Sequence, residues 1–204
     1  MENLLIKNTS FSEYEARIKL VTLYYSLTFE EFASDFLRIV LNQNDEAVSL
    51  GNSSKALSFN QKVQLLLDAK AFEKDDKKKI EYFMSIRNQF MHNSAAITLE
   101  SCMSFLTGID KKIEEGYWKT KRANEEAGGE KAAKELADEE QNEKELMKYD
   151  VSEREKLLYK CWINLASDVI GSFKNALTRI SKQRKVLKID SKRNIILNFP
   201  TEDT

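Results

Sequence analysis

A single proline in 204 residues, Pro200, and only 6 glycines leave almost nothing before the last few positions that would interrupt a helix. Proline removes a backbone donor and glycine is the usual helix terminator, so their scarcity predicts an all-α fold. Start signals support it. Ser10 with Glu13, Ser58 with Gln61 and Ser152 with Glu155 each have the S-x-x-E/Q spacing. In such a box the hydroxyl satisfies one orphan backbone N–H while the acid or amide reaches back to another.

Apolar periodicity fills in the helices between these signals. From Phe11 to about Asn42, the residues Ile18, Val21, Tyr25, Phe29, Phe32, Phe36 and Ile39 step by three or four, the spacing of one long amphipathic helix, with a kink expected around Ser26 to Thr28. The polar NQNDEAVSLGNSSKA reads as a loop. A short helix is predicted from about Phe59 to Lys70 with Val63, Leu66 and Leu67 inward, and Asp75–Asp76 supply an acidic start for the next. Another is predicted from near Thr98, running into a charge-dense stretch that breaks at Gly128–Gly129. The last, Glu153 to about Ser181, carries Leu157, Leu158, Cys161, Leu165, Val169, Phe173 and Leu177 on one face.

A hydrophobic content of 42% builds one sizeable core at this length. The expected division is a helical core over 1–122, a charged helical arm, linker or insertion over 123–150, and a C-terminal helix with a basic tail over 151–204 completing the bundle. A net charge of -1 means that attraction to nucleic acid has to come from a local patch. Cys102 and Cys161 belong to no CxxC pair and have no second histidine to complete a zinc set. Reduced, at least half-buried thiols are expected, with no metal and no cofactor. The N-terminal MENLLIKNTS has no basic region followed by an apolar one, and no apolar run approaches the roughly 18 residues of a membrane span. A soluble cytoplasmic protein, with no membrane as partner, is the expectation.

The chemistry-bearing stretch is SIRNQFMHNS, Ser85 to Ser94, which holds the only histidine. At about 100° per residue, Ile80, Phe83, Met84, Phe90 and Met91 form one stripe, and Arg87 falls near its middle. A guanidinium in that position must be paired, snorkel to the edge or face an anion. Asn88 and His92, four apart, lie on the flank and can meet the same object. The bland alternative is that His92 ends the helix against its C-terminal dipole, with Asn93 as the stop and Arg87 in an intramolecular ion pair.

Arg87-Asn88-Gln89-Phe90-Met91-His92 resembles the Rx4–6H motif, in its RNxxxH form, of the HEPN superfamily (higher eukaryotes and prokaryotes nucleotide-binding). The likeness covers about Phe11 to Gly108: a short helix of the FNQKVQLLLDA type, a K/D-rich turn, the motif helix and a further helix. It implies a helical bundle that dimerises so that two motifs face each other across a cleft. In many members it implies metal-independent cleavage of single-stranded RNA, in toxin–antitoxin or phage-defence settings, with an antitoxin or regulatory protein as a further partner. Other members are non-catalytic binding or regulatory scaffolds, and the mannitol-operon repressor relatives have a similar IRNxFxH run, so a dimeric interaction module is the alternative reading.

RNA can be cut without a metal because its own 2′-hydroxyl is the nucleophile. His92 is then the candidate general base or acid, Arg87 the phosphate clamp, and Asn88 the group that orients phosphate or imidazole. Positions five apart on a straight helix point about 140° from each other, so either the helix unwinds at His92 or two subunits share the site. A second surface, Lys174 to Arg193, contains Arg179, Lys182, Arg184 and Lys185 with few acids and is a candidate track for an RNA backbone, against the reading of a solvated helix end. Tyr24, Tyr25 and Tyr82 are candidate stacking partners, set against a core role.

Overall fold

The computed structural model describes residues 2–43, 47–51, 53–128, 144 and 146–184, with side chains described between Glu13 and Ile180 of those ranges. The described residues are all-helical, with no strand. The elements are α1 (Glu2–Leu41), a 3-10 turn (Val48–Leu50), α2 (Phe59–Asp68), α3 (Lys74–His92), α4 (Leu99–Met103), α5 (Ile109–Ala127) and α6 (Glu153–Arg184). No described helix is long and apolar enough to cross a membrane. The arm falls partly within α5, which reaches Ala127, and its residues 129–143 lie outside the described ones.

One start signal and one helix behave differently from the expectation. Ser10 lies inside α1, which begins at Glu2; no proline or glycine precedes it to end a helix, so the S-x-x-E spacing marks no boundary. The helix predicted from Thr98 divides at Ser104–Gly108, where Gly108 takes φ 76° and starts α5. That left-handed conformation costs glycine little and other residues more. Ser58 with Gln61 forms the complete reciprocal box at the start of α2. At the far end of α5, Gly128 closes the helix at φ 58°. Helix α1 runs unbroken through the expected kink, where Ser26 and Thr28 donate to the carbonyls of Thr22 and Tyr24 at 2.6 and 3.0 Å, the back-bonding that bends helices.

The chain forms two compact units, both drawing on the two long helices: Met1–Glu31 with Glu73–Ile170, and Phe32–Phe72 with Gly171–Thr204. The first is centred on aromatic rings from three helices. Phe29 meets Phe83 edge-on at 4.4 Å between centroids, and Phe83 lies parallel to Trp162 at 4.9 Å. Ile18, Ile80, Ile86, Phe90, Leu158 and Leu165 are buried in the same unit.

The second unit is held by Phe36, Phe72 and Phe173, with centroids 5.7 and 5.1 Å apart, over Leu50, Val63 and Leu66. Its connecting segments are tied by cationic side chains that donate to loop carbonyls. Fully buried Lys62 reaches the carbonyl of Gly51 at 3.0 Å, Arg38 that of Leu50 at 3.3 Å, and Arg179 that of Ala71 at 2.6 Å. Each such bond removes an orphan carbonyl that burial would otherwise leave unsatisfied.

Cys102 and Cys161 are free thiols, fully buried. Burial is the largest cause that pushes each to about 12, with the Glu155 charge adding for Cys102 and that of Glu114 for Cys161. Thiolates are the reactive species, so the native protein is expected to resist alkylation at neutral pH and to take up two equivalents of iodoacetamide once denatured, read by intact mass.

Candidate functional site

Helix α3 carries the motif. Asp75 and Asp76 stand in its first turn, where carboxylates suit the positive end of the dipole, and Lys79 bridges to Asp168 of α6 at 3.0 Å. Its buried row is Ile80, Phe83, Ile86 and Phe90. The row takes in Ile86, which the expected stripe leaves out, while Met84 and Met91 are half-buried. At about 100° per residue the row spans about 120°, from Ile86 through Phe90 and Phe83 to Ile80, and Arg87 falls half-buried between Phe83 and Ile80, about 45° from its centre. There its Nη1 donates to Asn88 Oδ1 at 3.0 Å. A charged head reaching from an apolar row to a polar edge partner is the snorkelling solution.

His92 is exposed and is the last residue of α3. The helix stays helical to that point and ends at Asn93, whose backbone is extended at φ -114° and ψ 110°. Asn93 organises the exit: its N–H donates to the Gln89 carbonyl at 2.8 Å, its Nδ2 to Gln89 Oε1 at 3.0 Å, and its Oδ1 accepts from the Ala95 N–H at 3.0 Å. Asn93 is thus the stop residue that the bland reading predicts. On so straight a helix, Arg87 and His92 of one chain diverge by about 140°.

Six residues after His92, Thr98 caps α4 in a reciprocal box with Ser101, a start signal in which a serine takes the place of the usual acid or amide. The free N–H groups of α4 then receive a carboxylate from far along the chain. Leu99 N donates to Glu155 Oε1 and Glu100 N to Oε2, both at 2.7 Å, and the Tyr14 hydroxyl donates to Oε1 at 2.8 Å. Glu155 is buried. The expected Ser152–Glu155 box is half formed: Ser152 Oγ accepts from Glu155 N at 3.0 Å, but the Glu155 side chain serves α4 instead of its own helix. Ser152 also donates to Glu100 Oε1. Alongside, Arg154 bridges Asp110 at 3.1 Å and Glu114, so α6 begins with two acid-linked anchors. The sequence signal for both was present only as the three-residue run Glu153-Arg154-Glu155, whose partners lie dozens of residues upstream.

Arg87, Asn88 and His92 belong to the same compact unit, and Arg179 to the other. Arg179 is half-buried and applies one nitrogen to Ala71. Lys182 and Arg184 lie within α6, where only the backbone is described, and Lys185 lies outside the described residues. Tyr24 is exposed, whereas Tyr25 and Tyr82 are half-buried. No three His, Cys, Asp or Glu side chains gather as metal ligands among the described residues. The arrangement offers a forked cation steadied by an amide, and one exposed imidazole a turn further on.

No family model matches the sequence, and no curated protein and no solved structure matches the chain.

Removing the Glu155 carboxylate strands two helix N–H groups and a buried hydroxyl. Glu155→Ala is expected to cost about 3 kcal/mol in urea unfolding, from the usual penalty for buried unsatisfied donors. Burial pushes the Glu155 carboxyl above its ordinary value, outweighing the hydrogen bonds from Glu100, Leu99 and Tyr14 that pull it down. The folded state therefore holds this proton more tightly than the unfolded one, and stability falls as pH rises from the ordinary carboxylate range to the raised value. Thermal midpoints of the wild type minus those of Glu155→Gln are expected to decline across that window and to be level on either side.

Proposed function

We propose that the chain is a metal-independent endoribonuclease of the HEPN type, acting as a homodimer on single-stranded RNA in the cytoplasm, in a toxin or phage-defence role with an antitoxin or other regulatory protein as partner. The observation that carries this reading is an exposed imidazole on the last turn of α3, five residues after an arginine whose guanidinium is steadied by Asn88.

The chemistry follows from RNA itself. A base removes the 2′-hydroxyl proton, O2′ attacks phosphorus, and the O5′ bond breaks as that oxygen takes a proton. The products are a 2′,3′-cyclic phosphate and a 5′-hydroxyl. His92 moves one of these protons, since imidazole is the side chain whose ordinary pKa lies nearest neutrality. Arg87 holds the phosphorane oxygens with a planar fork that stays charged, and Asn88 fixes the fork's direction. Because α3 remains helical through His92, the divergence within one chain favours a site in which Arg87 of one subunit works with His92 of the other. Arg179, Lys182, Arg184 and Lys185 of the C-terminal basic segment are the candidate contacts for an RNA backbone, with one Arg179 nitrogen already applied to Ala71.

Purified wild type is expected to cleave a mixed single-stranded RNA pool in EDTA, leaving 2′,3′-cyclic phosphate ends, and His92→Ala to lose about 100-fold or more. Arg87→Ala should fall by a similar factor. Identical traces from wild type and His92→Ala would make the chain a non-catalytic interaction module of the same architecture.

A further inference from the structure

Leu20, Leu23, Tyr24 and Leu27 of α1 are 66, 43, 64 and 60% exposed. Single exposed apolar residues are ordinary on protein surfaces. These stand at i, i+3, i+4 and i+7, so they form one continuous stripe. The opposite side of the same turns is buried, at Ile18, Thr22, Ser26 and Phe29. A helix that is apolar on its core side and again on its water side has a second surface to cover.

The charges around the stripe indicate what covers it. Arg17 and Lys19 flank its N-terminal end, and Glu30 and Glu31 its C-terminal end. A copy of α1 laid alongside in parallel would set like charge against like. Laid antiparallel about a two-fold axis near Tyr24, it brings Leu20 to Leu27, Leu23 to Tyr24, Arg17 to Glu31 and Lys19 to Glu30 of the partner subunit. All four pairings have position sums between 47 and 49, so one axis satisfies them together. A self-complementary patch of this kind makes an isologous dimer, with apolar contact at the seam and charges fixing its direction.

We propose that the exposed α1 stripe from Leu20 to Leu27 is the surface on which a second copy of this chain docks, antiparallel, through α1. The proposal rests on the dimeric part of the reading above and names its surface; an inactive dimer through α1 defeats the nuclease alone, whereas an active monomer defeats the interface and the shared site and leaves the cleavage chemistry standing.

Sedimentation equilibrium over a wide concentration range is the test. The full chain is expected at twice 23.6 kDa, and Leu20→Asp with Leu27→Asp at 23.6 kDa with its helical circular dichroism unchanged. Charge reversal gives a second readout that leaves the apolar stripe intact. Lys19→Glu is expected to weaken the dimer roughly several-fold, and adding Glu30→Lys to restore it. A wild-type mass of 23.6 kDa at every concentration overturns the proposal and hands the stripe to a different protein or to another segment of this chain. Retention of the dimer by the doubly substituted aspartate variant overturns it as well.

Discussion

One carboxylate joins helices that begin far apart in the chain. Glu155 accepts from two consecutive N–H groups at the start of α4 and from Tyr14, which lies 141 residues away on α1. A carboxylate at a helix N-terminus meets both the orphan donors and the positive end of the dipole. Burial makes the contact costly for the charge and strong for the hydrogen bonds. Since α4 starts shortly after the motif helix ends, the same contact limits where the Asn93–Thr98 turn can run, and with it the setting of His92. Tyr14, whose phenol is raised by burial first and by Glu155 next, remains the donor in this arrangement.

The other unit solves a different problem by a related means. Its loops expose carbonyls to the interior, and Lys62, Arg38 and Arg179 satisfy them from neighbouring helices. This bears on how basic residues are counted. A guanidinium nitrogen committed to a backbone carbonyl at 2.6 Å, as in Arg179, has less to offer a phosphate than a solvated one. The positive charge of a helix end therefore overstates its grip on a nucleic-acid backbone wherever some of that charge is structural.

Much of this architecture was legible in the sequence, and the failures have physical causes. The scarcity of proline and glycine predicts helices throughout, the Ser58 box places α2, and Asn93 and Gly128 end the helices expected to stop there. Ser10 misleads because a capping pattern has meaning only where the preceding residues are not themselves helical. On α3, Met84 and Met91 are apolar by type yet only half-buried, and Ile86 extends the buried row on its other side, so the row's centre lies off Arg87's azimuth. Because α1 is apolar on two sides, a periodicity count reports the stronger one and leaves the Leu20–Leu27 stripe unmarked. The Ser152–Glu155 spacing predicts that Glu155 serves its own helix, since a local motif carries no information about donors that arrive from elsewhere in the chain. The motif itself was visible, but its geometry within one chain does not converge, and sequence spacing cannot supply the second chain.

The aromatic stack at the centre of the first unit orders events in time. Phe29 touches Phe83, and Phe83 lies flat against Trp162, so the ring that closes the stack comes from α6. A chain emerging from the ribosome makes α1 and α3 early yet has nothing to place on the exposed face of Phe83 until α6 has been synthesised. Contacts of such long sequence separation close late. Until α6 has been synthesised this polypeptide is thus a set of amphipathic helices whose first unit lacks its closing ring.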